Sequence, residues 1–208
     1  MKNGFFLFLG LFIALAISWG GLTLGAHSQL DSLVPYYDVV EGKAFPEALS
    51  GQAARGLLVY QDLGCITCHT QQVRREGMGS DIERGWGERQ SWARDYIFQS
   101  RVQLGNLRAG PDLSTVGSRI TDPAELYELL YHGGSAMPAY PFLFRAPPDG
   151  ANLSGAMLLT DAWGDPVVPT DRARDLVAYL LNLTNPHTYA PELADNTVSV
   201  ETEEGAQE

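Results

Sequence analysis

The sequence predicts a helical protein in two parts: a membrane-spanning N-terminal helix, then one domain of short helices joined by long loops. Three observations point there. Between Lys2 and Asp31 there is no charged residue. Apolar residues recur at helical spacing just before residue 65 and again after Thr170. A third helical stretch between them is framed by Pro123 at its start and Gly133-Gly134 at its end. With 208 residues and 22.7 kDa, there is room for one ordinary domain plus an appendage.

The apolar run Gly4 to Gly25 is 22 residues long. As a helix it reaches about 33 Å, enough for a bilayer core of about 30 Å. Lys2 and the amino terminus are the nearby cations, so the N-terminus stays in the cytoplasm and the remainder is exported. Trp19 lies late in the run, where an interfacial aromatic belongs. The competing reading is a cleaved signal peptide, but the run exceeds an ordinary signal core and Thr23-Leu24-Gly25-Ala26 is a weak cleavage site. The anchor is therefore placed at residues 1–30. Residues 31–49, with Pro35, Tyr36, Tyr37 and Pro46, read as a surface connector.

The domain spans 50–190. Its first helix, about Gly51 to Leu63, turns Ala53, Gly56, Leu57, Leu58 and Tyr60 toward a partner. The middle one runs from Asp122 to Tyr131, opened by Thr121 and Pro123. The last begins at Thr170 and carries Ala173, Leu176, Val177, Leu180 and Leu181, with Tyr179 beside them. Residues 191–208 hold Glu192, Asp195, Glu201, Glu203, Glu204 and Glu208 and no cation, which predicts a solvated, disordered tail.

Composition excludes several functions. A formal charge of −11 and a pI near 4.7 oppose nucleic-acid binding, which needs clustered cations. Two cysteines exclude a disulfide-dense scaffold and any zinc site of three or four thiolates. The charge is uneven: from Arg74 to Arg119 eight arginines face six acidic residues. Any of these arginines either pairs with a cofactor carboxylate or stands solvated on a loop. The acid excess elsewhere suits either solubility or steering of a basic partner.

The chemistry lies in Cys65-Ile66-Thr67-Cys68-His69, the c-type haem attachment pattern. Two thioether bonds pin the vinyl edges of the porphyrin, and the adjacent His69 falls under the iron as proximal ligand. A thioredoxin-like dithiol expects a strand before the motif, and here a helix precedes it. One motif means one covalently bound haem c. Candidates for the sixth iron ligand are His27, His132, His187, Met78, Met137 and Met157. Met137 is favoured because the prolines of Met137-Pro138-Ala139-Tyr140-Pro141 restrict its loop. His132, at the end of a predicted helix, is its rival. Thioether ligation raises the reduction potential.

Gly56 and Tyr60 before the motif, with Asp175-Leu176-Val177-Ala178-Tyr179-Leu180 near the end, resemble the crossed terminal helices of class I cytochrome c. That resemblance implies an all-α fold with long loops, wrapped around haem. Gly64 to Arg74, Gln103 to Gly117 (with Gly110-Pro111-Asp112-Leu113) and Met137-Pro138-Ala139-Tyr140-Pro141 resemble a narrower family: the mono-haem membrane subunit II of cbb3-type cytochrome c oxidases. The likeness covers the anchor and most of residues 50 to 141. It implies that Pro111 offers its carbonyl to His69. Residues 142 to 169 match nothing in the pattern.

The expected function is electron transfer with no catalytic site of its own. The resemblance implies that Cys65 and Cys68 hold haem c, and that His69 and Met137 bind its iron. It further implies a soluble or membrane-bound cytochrome c donor. The partners would be a haem–copper catalytic subunit and the other cytochrome c subunits of the complex. The expected location is the bacterial inner membrane, single-pass, with the haem domain on the periplasmic face. The alternatives are the small cytochrome subunit of a nitric oxide reductase, a stand-alone anchored shuttle, and a haem enzyme or sensor with an open sixth position.

Overall fold

The computed structural model describes residues 3–31, 33–49, 51–150 and 159–184. Met157, His187 and the acidic tail at 191–208 lie outside the described residues. The chain divides into two units. Among the described residues, the first comprises the N-terminal segment to Phe45 together with Trp92–Ile97. The second comprises Pro46–Ser91 and the chain from Phe98 onward.

In the first unit, helix α1 (Asn3–Trp19) continues through a π-helical turn, Gly20–Leu24, into α2 (Gly25–Leu30). Glycine leaves the backbone least restricted where the turn widens, at Gly20 and Gly21. The 27 residues Gly4–Leu30 have a mean hydropathy of 2.2. Among the described residues this is the one helix long and apolar enough to cross a membrane. It rises about 40 Å. The connector after it holds a hairpin, β1 (Tyr36–Asp38) with β2 (Lys43–Phe45), pairing Tyr36 with Phe45. The Asp38 carboxylate accepts from the amides of Val40 (2.7 Å) and Glu41 (3.0 Å) and shapes its turn.

The second unit is framed by α3 (Gly51–Asp62) and α6 (Asp171–Asn182). Where they cross, a Cβ on Gly56 would overlap the Asp175 carbonyl and crowd the Tyr179 Cβ. Hydrogen is the largest side chain that lets the two backbones meet. Beside the crossing the rings of Tyr60 and Tyr179, both fully buried, pack at 5.4 Å. Arg55 closes the edge, its Nε and Nη2 each donating to the Asp175 carboxylate at 3.0 Å. Helix α6 buries Ala173, Leu176, Val177 and Leu180, spaced as one helical face. Its N-cap is Thr170, whose hydroxyl also donates to the Leu143 carbonyl at 2.7 Å.

Between them lie α4 (Val116–Arg119) and α5 (Pro123–His132). Asp122 caps α5 by accepting from Ala124 N at 2.9 Å, Pro123 occupies its first turn, and Gly133 ends it at φ 75°. Leu126, Tyr127 and Leu130 carry α5 into the core.

Beside the helices, the described residues of 142 to 169 add a small sheet. Here β3 (Phe144–Arg145), β4 (Leu159–Thr160) and β5 (Pro166–Pro169) form a small antiparallel sheet in the order β3-β5-β4. Phe144 and Leu159 are buried, and the β-branched pair Val167-Val168 sits between prolines that hold it extended. The Asp161 carboxylate accepts from the amides of Trp163 (2.9 Å) and Asp165 (2.8 Å) and folds the β4–β5 turn. Strands of two to four residues offer no alternation to read in a sequence.

The crossing makes a direct prediction. Gly56→Ala forces α3 off α6 and costs about 1–3 kcal/mol, the range for overpacking a tight core. Thermal unfolding of the full chain would show a lowered Tm.

Candidate haem site

A cavity of about 370 Å³ lies in the second unit, within the range of about 300–1,000 Å³ usual for ligand sites. Leu113 and Val116, Leu126 and Leu130 of α5, and Leu176 and Leu180 of α6 make it largely apolar. One edge is the attachment motif. Gly64, at φ 69°, ends α3 and turns the chain into the 3-10 turn Cys65–Thr67. The amides of Cys68 (3.2 Å) and His69 (3.0 Å) both donate to the Cys65 carbonyl. This winding puts Cys65, Cys68 and His69 together on the cavity wall.

Residues 103–114 lie directly against the motif. Gly110 N donates to Cys68 O (3.0 Å), Gln71 N to Leu104 O (3.1 Å) and Leu113 N to Thr70 O (2.8 Å). A Cβ at Gly110 would fall on the His69 ring, and one at Gly105 would meet the His69 carbonyl. The Pro111 carbonyl stands 2.8 Å from His69 Nδ1. A carbonyl only accepts, so Nδ1 carries the proton and Nε2 keeps the lone pair that a metal needs. From the other side, the Tyr179 hydroxyl donates to Gln71 Oε1 at 2.9 Å. Burial pushes the Tyr179 and Tyr60 phenols well above their ordinary value, so both stay protonated.

Met137 lines the same cavity, half-buried against the core. Its loop is closed at both ends: Gly134 N donates to Met137 O (3.0 Å), and Tyr140 N to Leu130 O of α5 (2.8 Å). Among the described candidates for a sixth ligand, Met137 is the one in the lining. His132 is exposed, its ring 4.9 Å from that of Tyr131. Met78 is 62% exposed on a loop, and His27 belongs to α2.

The cavity therefore presents two thiols and an imidazole at one edge, a thioether, and apolar walls. Burial, with a smaller contribution from neighbouring Cys68, pushes the Cys65 thiol up to about 11. A dithiol redox centre needs the opposite, a thiolate stabilised at neutral pH. The donor set fits an apolar macrocycle carrying a metal. A model of the family "Cytochrome C oxidase, mono-heme subunit/FixO" matches residues 5–205. The chain belongs to the FixO family. No curated protein matches it. Family membership makes it a mono-haem subunit of a cytochrome c oxidase, and the FixO match extends across residues 142–169, where the sequence alone offered no likeness.

Several residues around this FixO-family site are not apparent from the sequence. Arg119, whose guanidinium donates to the Asp112 carbonyl, is the cationic side chain in the lining. Its burial lowers the guanidinium's pKa. Asp81 and Asp112 are fully buried. Asp81 accepts from Arg74 N and Nη2, both at 2.8 Å, and is ion-paired with Arg108. Burial alone would raise the Asp81 carboxyl, but these cations outweigh it and hold it well below the ordinary carboxylate range. The excess of arginine between 74 and 119 is thus partly consumed inside the protein. Only the adjacency of Asp112 to Gly110-Pro111 hinted at this, since Asp81 and Arg108 stand 27 positions apart in the sequence.

Two outcomes are expected for this site. Gly110→Ala drives the His69 ring off the Pro111 carbonyl, and absorption spectra of the purified chain should show reduced or altered haem incorporation. For Asp81, the depressed carboxyl contributes stability that is complete above its unfolded value and lost as pH falls through its folded one. The stability gap between the native chain and Asp81→Asn should therefore stay constant from about pH 8 to pH 5, and shrink below about pH 4. Denaturant titrations across that range measure it.

Proposed function

We propose that this chain is a membrane-anchored electron-transfer subunit of a cbb3-type haem–copper oxidase, carrying one covalent haem c. The observation that carries the reading is the single cavity that Cys65, Cys68, His69 and Met137 share in a FixO-family chain. Cys65 and Cys68 would hold the macrocycle by thioether bonds. His69, through Nε2, and Met137, through its thioether, would bind its iron. Pro111 would orient His69 from behind, and Arg119 would meet a carboxylate side chain of the group. When bound, haem supplies a reversible one-electron iron couple.

The chain's own part is to hold, orient and shield. Leu113, Leu126, Leu130 and Leu176 exclude water from the cavity, which keeps the environment apolar and raises the potential together with a thioether ligand. Gly56, between the terminal helices, supports a class I cytochrome c fold, since the backbones meet there as that family's crossed helices do. Residues 1–30 would be the retained anchor, 31–49 the connector, 50–190 the haem domain and 191–208 the acidic tail. The apolar helix Gly4–Leu30, with Lys2 before it, supports a single-pass arrangement with the haem domain on the periplasmic face of the bacterial inner membrane. Electrons would arrive from a soluble or membrane-bound cytochrome c. They would leave for the catalytic subunit, beside the complex's other cytochrome c subunits.

The decisive measurement is spectroscopic. The oxidised native protein should show the methionine-to-ferric charge-transfer band, and the reduced protein should bind carbon monoxide poorly. Met137→Ala should lose the band and bind carbon monoxide readily, with haem still covalently attached. If Met137→Ala keeps the band and still resists carbon monoxide, Met137 is not the ligand. Purification of the intact complex tests the rest: an oxygen-consuming partner with copper supports the reading, whereas a nitric-oxide-consuming partner with non-haem iron removes it.

A further inference from the structure

The segment bearing Cys68 and His69 and the segment bearing Pro111 meet at glycines and through three backbone hydrogen bonds, with little side-chain packing between them. A further hold on their register lies one layer behind. Asp112 is fully buried and accepts from Thr70 Oγ1 (2.5 Å), Gln72 N (2.8 Å) and Ser114 N (2.8 Å). The peptide plane joining Pro111 to Asp112 carries the carbonyl on His69. With the Asp112 carboxylate fixed on both oxygens, that plane has little freedom to turn.

Arg108 extends the arrangement. It is 18% exposed, is ion-paired with Asp81, donates from Nη2 to the Gln72 carbonyl at 2.6 Å, and lies 3.9 Å from Asp112. Asp81 in turn binds the backbone and side chain of Arg74, five residues beyond His69. Two buried carboxylates and two arginines thereby join residues 70–74, 81 and 108–112. Buried ion pairs are weak contributors to stability against apolar replacements, and their best-attested use is to fix one geometry. A stretch with neither helix nor strand to define it is a place where such fixing is needed.

We propose that the Asp81–Arg108–Asp112 chain is a positioning device for the proximal histidine. By clamping the 108–112 segment on residues 70–74, it keeps the Pro111 carbonyl on His69 Nδ1. That bond gives the imidazole anionic character and makes Nε2 a stronger donor to an oxidised metal. None of the three residues touches the reacting centre; each acts through Pro111 and His69. The inference rests on the reading of His69 as axial ligand.

The test uses the full chain with its covalent haem, or the intact complex, and reads reduction potential, ferric low-spin spectrum and melting temperature. Asp81→Asn keeps the shape and frees Arg108. Arg108→Lys keeps the charge and loses the planar fork. Both should raise the reduced-to-oxidised ratio at a fixed poise several-fold, with shifted ferric g-values. The double variant should go little beyond either single one, as members of one unit do. Leu143→Ala, in the core but outside the cavity lining, should lower the melting temperature and leave the ratio unchanged.

The proposal is overturned if Arg108→Lys leaves the potential native, because the Asp81→Asn effect would then be charge alone. It is equally overturned if Leu143→Ala moves the ratio as far as Asp81→Asn, because loosening would then suffice. Should Asp81→Asn fail to fold, Arg108→Lys against Leu143→Ala carries the decision. Failure of the underlying reading looks different: His69→Ala would keep a native low-spin spectrum.

Discussion

The terminal helices of the second unit meet backbone to backbone at Gly56, and nearly everything around the cavity takes its position from that meeting. Asp175 and Tyr179 on α6 occupy the space that a side chain at residue 56 would fill. Tyr60 then packs at a tilt against Tyr179, and the Tyr179 hydroxyl reaches Gln71, two residues past His69. The same turns of α6 send Leu176 and Leu180 into the cavity wall. Separating the helices by one methyl would thus disturb a core contact, a buried hydrogen bond and the cavity wall together. A glycine with ordinary helical geometry sets this constraint, so it is a matter of close approach, not of backbone freedom.

The loops, by contrast, are held by polar bonds. Residues 70–74 and 103–114 contain no regular element of more than a few residues, yet they carry the imidazole and the carbonyl behind it. Their order comes from three backbone bonds, two glycine contacts and the buried carboxylates. Burying Asp81 and Asp112 is expensive unless every lone pair finds a donor, and here amides, a hydroxyl and guanidinium groups supply them. Apolar packing holds the helices, and charge holds the loops.

The sequence disclosed the helices and the motif residues of the cavity wall more readily than it did the rest. Asp122, Pro123, Gly133 and Thr170 mark ends by local chemistry, and the α6 stripe keeps a plain helical period. Cys65, Cys68 and His69 are adjacent, so their motif is complete within five residues. Met137 needed the prolines after it to be singled out, and Pro111 needed a resemblance. Three things were not legible. The sheet of residues 144–169 is too short for a pattern and depends on Phe144 and Leu159 finding the core. The hairpin at 36–45 hides in a connector for the same reason. Asp81, Arg108 and Arg119 meet their partners only through the tertiary fold, and their charges look solvated when read along the chain.

The loop from Gly133 to Tyr140 leaves α5 and returns to it, tied by Gly134 N to Met137 O and by Tyr140 N to Leu130 O. It is a closed excursion, and the chain leaves it through a bond from Leu143 N to the Tyr140 carbonyl (3.0 Å). Beyond Leu143 the chain runs into its own small sheet, and the exposed β4–β5 turn at 162–165 can change while Met137 keeps its place in the cavity wall. A change of length in that turn would therefore leave the cavity wall as it is.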